Sequence, residues 1–83
     1  MNDTIREILG KVGGLPVAVS EIADDADLYA AGLSSFASVQ VMLALEEAFD
    51  IEFPDSLLNR KSFASIEAIE KTVKHILDSK EAA

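Results

Sequence analysis

Gly32-Leu33-Ser34-Ser35-Phe36-Ala37-Ser38-Val39-Gln40-Val41-Met42-Leu43-Ala44-Leu45-Glu46-Glu47-Ala48-Phe49-Asp50 is the stretch that decides the fold of this chain. A glycine and two serines, residue types that favour turns and helix starts, lead into a run free of glycine and proline. Apolar residues then recur at intervals of three and four, which predicts one helix from about Ser35 to Asp50. At 3.6 residues per turn, Val41, Met42, Leu45, Ala48 and Phe49 share a face and form the expected core stripe. Phe36, Val39 and Leu43 form a second stripe, which Glu46 and Glu47 extend toward the C-terminus. That second stripe has two readings: it packs under another element, or it is an exposed docking patch beside the serines.

Upstream, Ile5, Ile8, Leu9 and Val12 recur at helical spacing behind Asn2 or Asp3 as a cap, and Gly13-Gly14 with Pro16 ends that helix. A long loop from Leu15 to about Leu33 follows. Within it Val19, Ile22, Leu28 and Leu33 are spaced to dip into a core, while Asp24, Asp25 and Asp27 stay in water. Downstream, Pro54-Asp55 opens a short turn of helix through Leu57-Leu58. Ser65 is placed to cap a last helix with Ile66, Ile69, Val73, Ile76 and Leu77 on one face and Glu67 in its first turn. The tail 78–83 is expected to fray. No segment alternates as a half-buried strand does, so the expected class is all-α, one domain over residues 1–83.

At 83 residues the chain has room for a core but not for a large substrate cleft as well. Fifteen acidic residues against seven basic ones give a net charge of −8, which repels nucleic-acid phosphates and anionic membrane surfaces. Protein partners with basic or apolar docking faces are expected instead, and no nucleic acid or membrane. The absence of cysteine excludes disulfides, thiolate metal sites and cysteine nucleophiles, and agrees with a reducing cytoplasm. Neither a signal peptide nor an apolar run of the ~20 residues that span a bilayer is visible.

Autonomous catalysis finds little support. Asp25-Ala26-Asp27 hints at a calcium loop, but Ala30 stands at its glycine position and Phe36 at its closing glutamate, so no metal site is expected. Gly32-Leu33-Ser34-Ser35-Phe36 half-matches a nucleophile elbow, yet Phe36 replaces the second glycine and no sheet presents it. The single histidine, His75, falls opposite the apolar stripe of the last helix. Glu46 and Glu47 are adjacent and diverge on a helix. What is left is a serine hydroxyl at a loop-to-helix junction, open to a transferase and close to backbone N–H groups that favour a phosphate. The alternative is that either serine is an N-cap, a role compatible with modification of the other.

The run Asp27-Leu28-Tyr29, then Gly32-Leu33-Ser34-Ser35-Phe36-Ala37-Ser38-Val39, then Leu45-Glu46-Glu47-Ala48-Phe49-Asp50-Ile51-Glu52-Phe53-Pro54-Asp55, resembles the acyl carrier protein family, as does Phe63-Ala64-Ser65-Ile66 before the last helix. The likeness covers nearly the whole chain in order and spacing. It implies a four-helix bundle with a long first loop and a short third helix. It also implies 4′-phosphopantetheine attached to Ser35, fourteen residues before Phe49, with cargo held on the arm as a thioester. Partner docking by resemblance falls on the face carrying Phe36, Val39 and Leu43. With the neighbours on that face, the docking set expected is Ser34, Phe36, Val39, Gln40, Leu43, Glu46 and Glu47.

The chain departs from the family pattern in one direction. Ser34 stands where an aspartate is usual, and Ala37 and Gln40 stand where fatty-acid carriers are often acidic. Exposed ion pairs contribute ~0.2–1 kcal/mol each, so losing three negative charges shifts partner choice more than fold. The Gly-Leu-Ser-Ser-Phe-Ala-Ser variant and Leu58-Asn59-Arg60-Lys61-Ser62-Phe63 are similar to carriers served by amino acid:carrier protein ligases, truncated relatives of seryl-tRNA synthetases. The resemblance thus implies a monomeric, non-catalytic cytoplasmic carrier of an activated amino acid. Its implied partners are a phosphopantetheinyl transferase, such a ligase and a downstream acyl acceptor enzyme. Carriers of fatty, polyketide or peptide acyl chains and a non-modified helical interaction module are the alternatives.

Overall fold

The computed structural model describes the backbone of residues 1–82 and the side chains of residues 1–80. Four α-helices and three 3-10 turns follow one another, with no strand among the described residues. Helix α1 spans Asn2–Val12, a four-residue α2 spans Leu28–Ala31, α3 spans Ser35–Phe49 and α4 spans Ile66–Ala82. The 3-10 turns lie at Val19–Glu21, Asp55–Leu57 and Arg60–Phe63. The three long helices form the bundle, α1 packing on both α3 and α4. The fold is the all-α bundle expected. Its fourth α-helix, however, is α2 inside the long loop, and the connection from α3 to α4 is made of 3-10 turns, one of them at the expected Pro54–Leu58 position.

Each helix start has a local cause. Asp27 caps α2, accepting from Tyr29 N at 2.9 Å and Ala30 N at 3.3 Å, and that cap makes a helix of only four residues possible. Ser65 accepts from Ala68 N at 3.0 Å at the entrance of α4, as its position predicts. At α1 the expectation fails: Met1 is the N-cap residue with no side-chain cap bond. The Asn2 side chain is drawn elsewhere, accepting from Arg6 Nε at 2.8 Å and donating to Asp24 Oδ1 at 3.0 Å. Asp24 also receives Arg6 Nη2 at 2.6 Å, while the other terminal nitrogen of Arg6 donates to the carbonyl of Val19. The bonds from Asn2 and then from Arg6 hold the Asp24 carboxyl below its ordinary value.

The core is one cluster to which all four helices contribute: Ile5 and Leu9 of α1, Leu28 of α2, Val41 and Leu45 of α3, and Ile66, Ile69 and Val73 of α4 are all fully buried. Ile22, Leu28 and Leu33 enter it from the loop, with Val19 partly buried against it, while Asp24, Asp25 and Asp27 stay outside. The loop is stapled to the far end of the chain by two backbone bonds, Leu28 N to Ala64 O at 2.7 Å and Glu67 N to Asp24 O at 2.9 Å. Asp50 takes a left-handed conformation at φ 53° to end α3. The chain turns there so that Ile51 and Phe53 enter the core, Phe53 stacking on Phe63 with centroids 5.4 Å apart.

Three details depart from the sequence reading. Ala48 faces solvent, and Ala37 takes a place in the core stripe of α3, where Met42 and Phe49 are only partly buried. Val12, the last residue of α1, is exposed. Helix α4 continues past the expected fray point to Ala82, and Lys80 ties it to the end of α3, its Nζ donating to Asp50 O at 2.6 Å. Ala83 lies outside the described residues.

Candidate functional site

Gly32 closes α2 at φ 121°, and a Cβ there would stand 2.8 Å from Pro16 Cδ, so the turn admits only glycine. Its N–H reaches Tyr29 O, and Leu33 N reaches Leu28 O, which swings buried Leu33 into the core and leaves the next residues facing out. Ser34, with extended backbone, is the N-cap of α3: its Oγ accepts from Ala37 N at 3.0 Å. Ser35 is the first residue of α3 and is exposed; its carbonyl accepts from Ser38 Oγ at 2.7 Å, but no hydrogen bond engages its own hydroxyl among the described residues. Two adjacent serines thus separate into one that shapes the helix and one that is chemically free.

Along the outer face of α3, Phe36 is 75% exposed, Val39 48% and Leu43 50%. Gln40 and Glu47 lie open to solvent on the same face, with Ser34 at its head. The second stripe is therefore a surface and not a second core. Glu46 is half-buried and has a structural task that sequence reading did not assign, its Oε2 accepting from Phe53 N at 2.9 Å. This bond fixes the turn after α3 and engages one of the two carboxylate oxygens.

Beside Ser35 opens a hollow of about 320 Å³, walled by Val39 and Met42 of α3, Leu58 and Phe63 of the connection, and Tyr29 of α2. Arg60 lies over the Tyr29 ring, its Cζ 4.2 Å from the centroid, and lines the same hollow. Leu58 is 45% exposed and carries the apolar surface of α3 across to the connection. Sequence reading quoted Leu58 to Phe63 but not as part of the site; an apolar leucine among polar neighbours, followed by an arginine in an acidic chain, was the available signal.

No imidazole or carboxylate lines this hollow. His75 is exposed and lines a separate hollow of about 650 Å³ with Asp50, Glu52 and Lys80, at the far end of α3. At a rise of ~1.5 Å per residue, the 15-residue helix puts that end roughly 22 Å from Ser35. Among the described residues Ser35 therefore has no general base beside it. It can receive a group, but only from a visiting enzyme that activates it. A phosphate ester fits the place, because the hydroxyl projects from a helix start, has no competing bond, and is flanked by an arginine and not by acids.

The sequence model of the family described as phosphopantetheine attachment site matches residues 3–73. An aminoacyl carrier protein of Agrobacterium fabrum (strain C58 / ATCC 33970) is 80% identical over 83 residues, all of both chains. A chain in the crystal structure of an engineered Bradyrhizobium japonicum glycine:[carrier protein] ligase, complexed with carrier protein from Agrobacterium tumefaciens and AMP, superposes with a TM-score of 0.88. It is 80% identical, and the match covers 89% of this chain and 99% of that one. In the crystal structure of the B. japonicum ligase complexed with glycylated carrier protein, the matching chain has a TM-score of 0.74 and 30% identity, covering 86% of this chain and 95% of that one.

Proposed function

The chain belongs to the phosphopantetheine attachment family, and from that membership we propose that Ser35 carries the arm and that the cargo is an amino acid, glycine before any other. The observation that carries the choice of serine is the division of labour at the junction: Ser34 Oγ is held by Ala37 N, while the Ser35 hydroxyl is free and exposed. When bound, 4′-phosphopantetheine supplies a thiol on a flexible tether that holds an acyl group as a reactive thioester. The chain is a non-catalytic carrier, and its own residues present that tether: Ser34 and Gly32 set the angle at which Ser35 leaves the surface, and the α3 face identifies the carrier to its partners.

The partners in this reading are a phosphopantetheinyl transferase, an amino acid:carrier protein ligase and a downstream acyl acceptor enzyme, which meet a monomeric one-domain carrier in the cytoplasm. The docking face is Ser34, Phe36, Val39, Gln40, Leu43 and Glu47, with Glu46 at its edge. The choice of an amino acid is supported by the 80% identical aminoacyl carrier and by chains of this fold in complexes with a glycine:carrier protein ligase. It is supported too by the first turn of α3, which holds no acidic residue for a basic fatty-acid enzyme to grip. No helix among the described residues is long and apolar enough to cross a membrane.

The test is to convert the purified protein with coenzyme A and a transferase, then offer it ATP, a glycine:carrier protein ligase and labelled glycine. Label retained on the protein and released by hydroxylamine is the expected result. Labelling by fatty acids with an acyl ligase, and never by amino acids, would transfer the protein to the acyl-chain carriers.

A further inference from the structure

The seven cations of this chain are not placed alike. Arg6, Lys11, Lys71 and Lys80 each lie against a carboxylate, of Asp24, Glu7, Glu67 and Asp50 respectively. Arg60 shares with Lys61 and Lys74 the lack of a carboxylate partner among the described residues, although acidic residues outnumber basic ones two to one. It lies instead on the face of Tyr29 and lines the hollow that Ser35 opens into. Stacking engages only the flat face of a guanidinium. Its five edge N–H donors stay available, in a fork that matches two oxygens of a phosphate. None of those donors has a hydrogen-bond partner among the described residues of the protein.

We propose that Arg60, oriented by Tyr29, binds the phosphodiester that joins the arm to Ser35 and lays the first part of the arm into the hollow. This rests on the reading of Ser35 as the attachment residue. The lining suits such an occupant. Arg60 and Ser38 lie at the polar part beside Ser35, whose own oxygen becomes one ester link of the phosphate, and Val39, Met42, Leu58 and Phe63 make an apolar bed for the methyl-bearing carbons that follow. At about 320 Å³ the hollow is at the small end of ligand pockets, which run ~300–1,000 Å³. It accepts the root of the arm and not an arm plus a long acyl chain, so the charged tip remains outside for a partner enzyme. Arg60 is thus a positioning residue: it fixes where the tether starts and has no part in bond making.

The experiment compares the full-length apo and phosphopantetheinylated proteins by methyl and amide NMR and by the ³¹P resonance of the phosphodiester. Attachment is expected to shift the methyl signals of Val39, Met42 and Leu58 and the Nε–H of Arg60, and to slow the motion of the arm carbons nearest the phosphate. R60A and Y29L are each expected to remove most of those methyl shifts and to move the ³¹P resonance to that of a solvated phosphodiester. R60K, which keeps the charge but not the fork, should retain a part of the effect, and K11A, on α1, should retain all of it. Amide spectra of the apo variants that overlay the parent away from residue 60 exclude unfolding as the cause. Modified protein whose Val39, Met42 and Leu58 methyls do not move, or an R60A form with an unchanged ³¹P resonance and arm mobility, overturns the proposal alone. Absence of any mass gain at Ser35 overturns the attachment reading and the proposal together.

Discussion

Ser34 and Ser35 offer the same hydroxyl one residue apart, and the backbone decides their fates. Ser34 precedes the helix in extended conformation and turns its Oγ back onto Ala37 N; Ser35 is inside the first turn and points away. Ser35→Ala is therefore expected to abolish the mass gain on phosphopantetheinylation with little change in melting temperature. Ser34→Ala should keep the mass gain yet lose about 1 kcal/mol of stability, the usual contribution of an N-cap. Intact mass and thermal denaturation of the two variants check both halves. The aspartate usual at this position can cap a helix as serine does, so the substitution removes a charge from the docking face without loosening the junction. Asp24 yields a second prediction. Its carboxyl titrates below the ordinary value of 3.8, so the folded state favours the ionised form more than the unfolded chain does. That contribution is complete above the unfolded value and disappears as pH falls through the folded one. Melting temperatures taken from pH 5 down to pH 2 should drop for the parent, and drop less for Asp24→Asn, which has no such proton to take up.

Helix α3 carries two leucines with opposite surroundings, Leu43 half exposed and Leu45 fully buried. The same change to alanine separates them. Leu45→Ala is expected to cost ~2–5 kcal/mol, and Leu43→Ala well under that while weakening loading by the cognate ligase. Denaturation midpoints beside loading rates measure both, and a Leu43→Ala protein as unstable as Leu45→Ala would refute the division. Sequence spacing alone identified α1, α3 and α4, because each buries one stripe against the others and the stripe repeats at the helical period. It named the core stripe of α3 but left open whether the second stripe was buried as well. That helix is apolar on two sides, and the answer depends on where α1 lies. Ala37 and Ala48 were misjudged for the same reason: alanine fits either environment, and only a neighbour's position decides. The short α2 was invisible because four residues show no period; Asp27 and Gly32, a cap and a stop, were its only marks. The hollow beside Ser35 was equally hidden, since it joins residues from three segments that only the folded chain brings together.

Across the whole molecule, charge and shape are arranged around one end. The surface is acidic overall, but the neighbourhood of Ser35 is an apolar strip with an arginine beside it, a contrast that a partner can find in the encounter. The composition foretold protein partners and no catalysis. It did not foretell that the neutral patch would coincide with the one arginine left without a carboxylate. The two backbone bonds from the long loop to Ala64 and Glu67 have a further meaning when the order of synthesis is considered. Chains fold as they emerge, N-terminal parts first. Helix α3 and its serine leave the ribosome while the loop's anchors are still unmade, and Leu28 N and the carbonyl of Asp24 lack their partners until residue 67 has followed. A chain ending at residue 63, with α3 intact and Ser35 in place, is accordingly expected to accept phosphopantetheine far more slowly than the complete protein, as intact mass over time would record. Closing those two backbone bonds would then serve as a mark of completion, by which a transferase distinguishes a finished chain from a fragment.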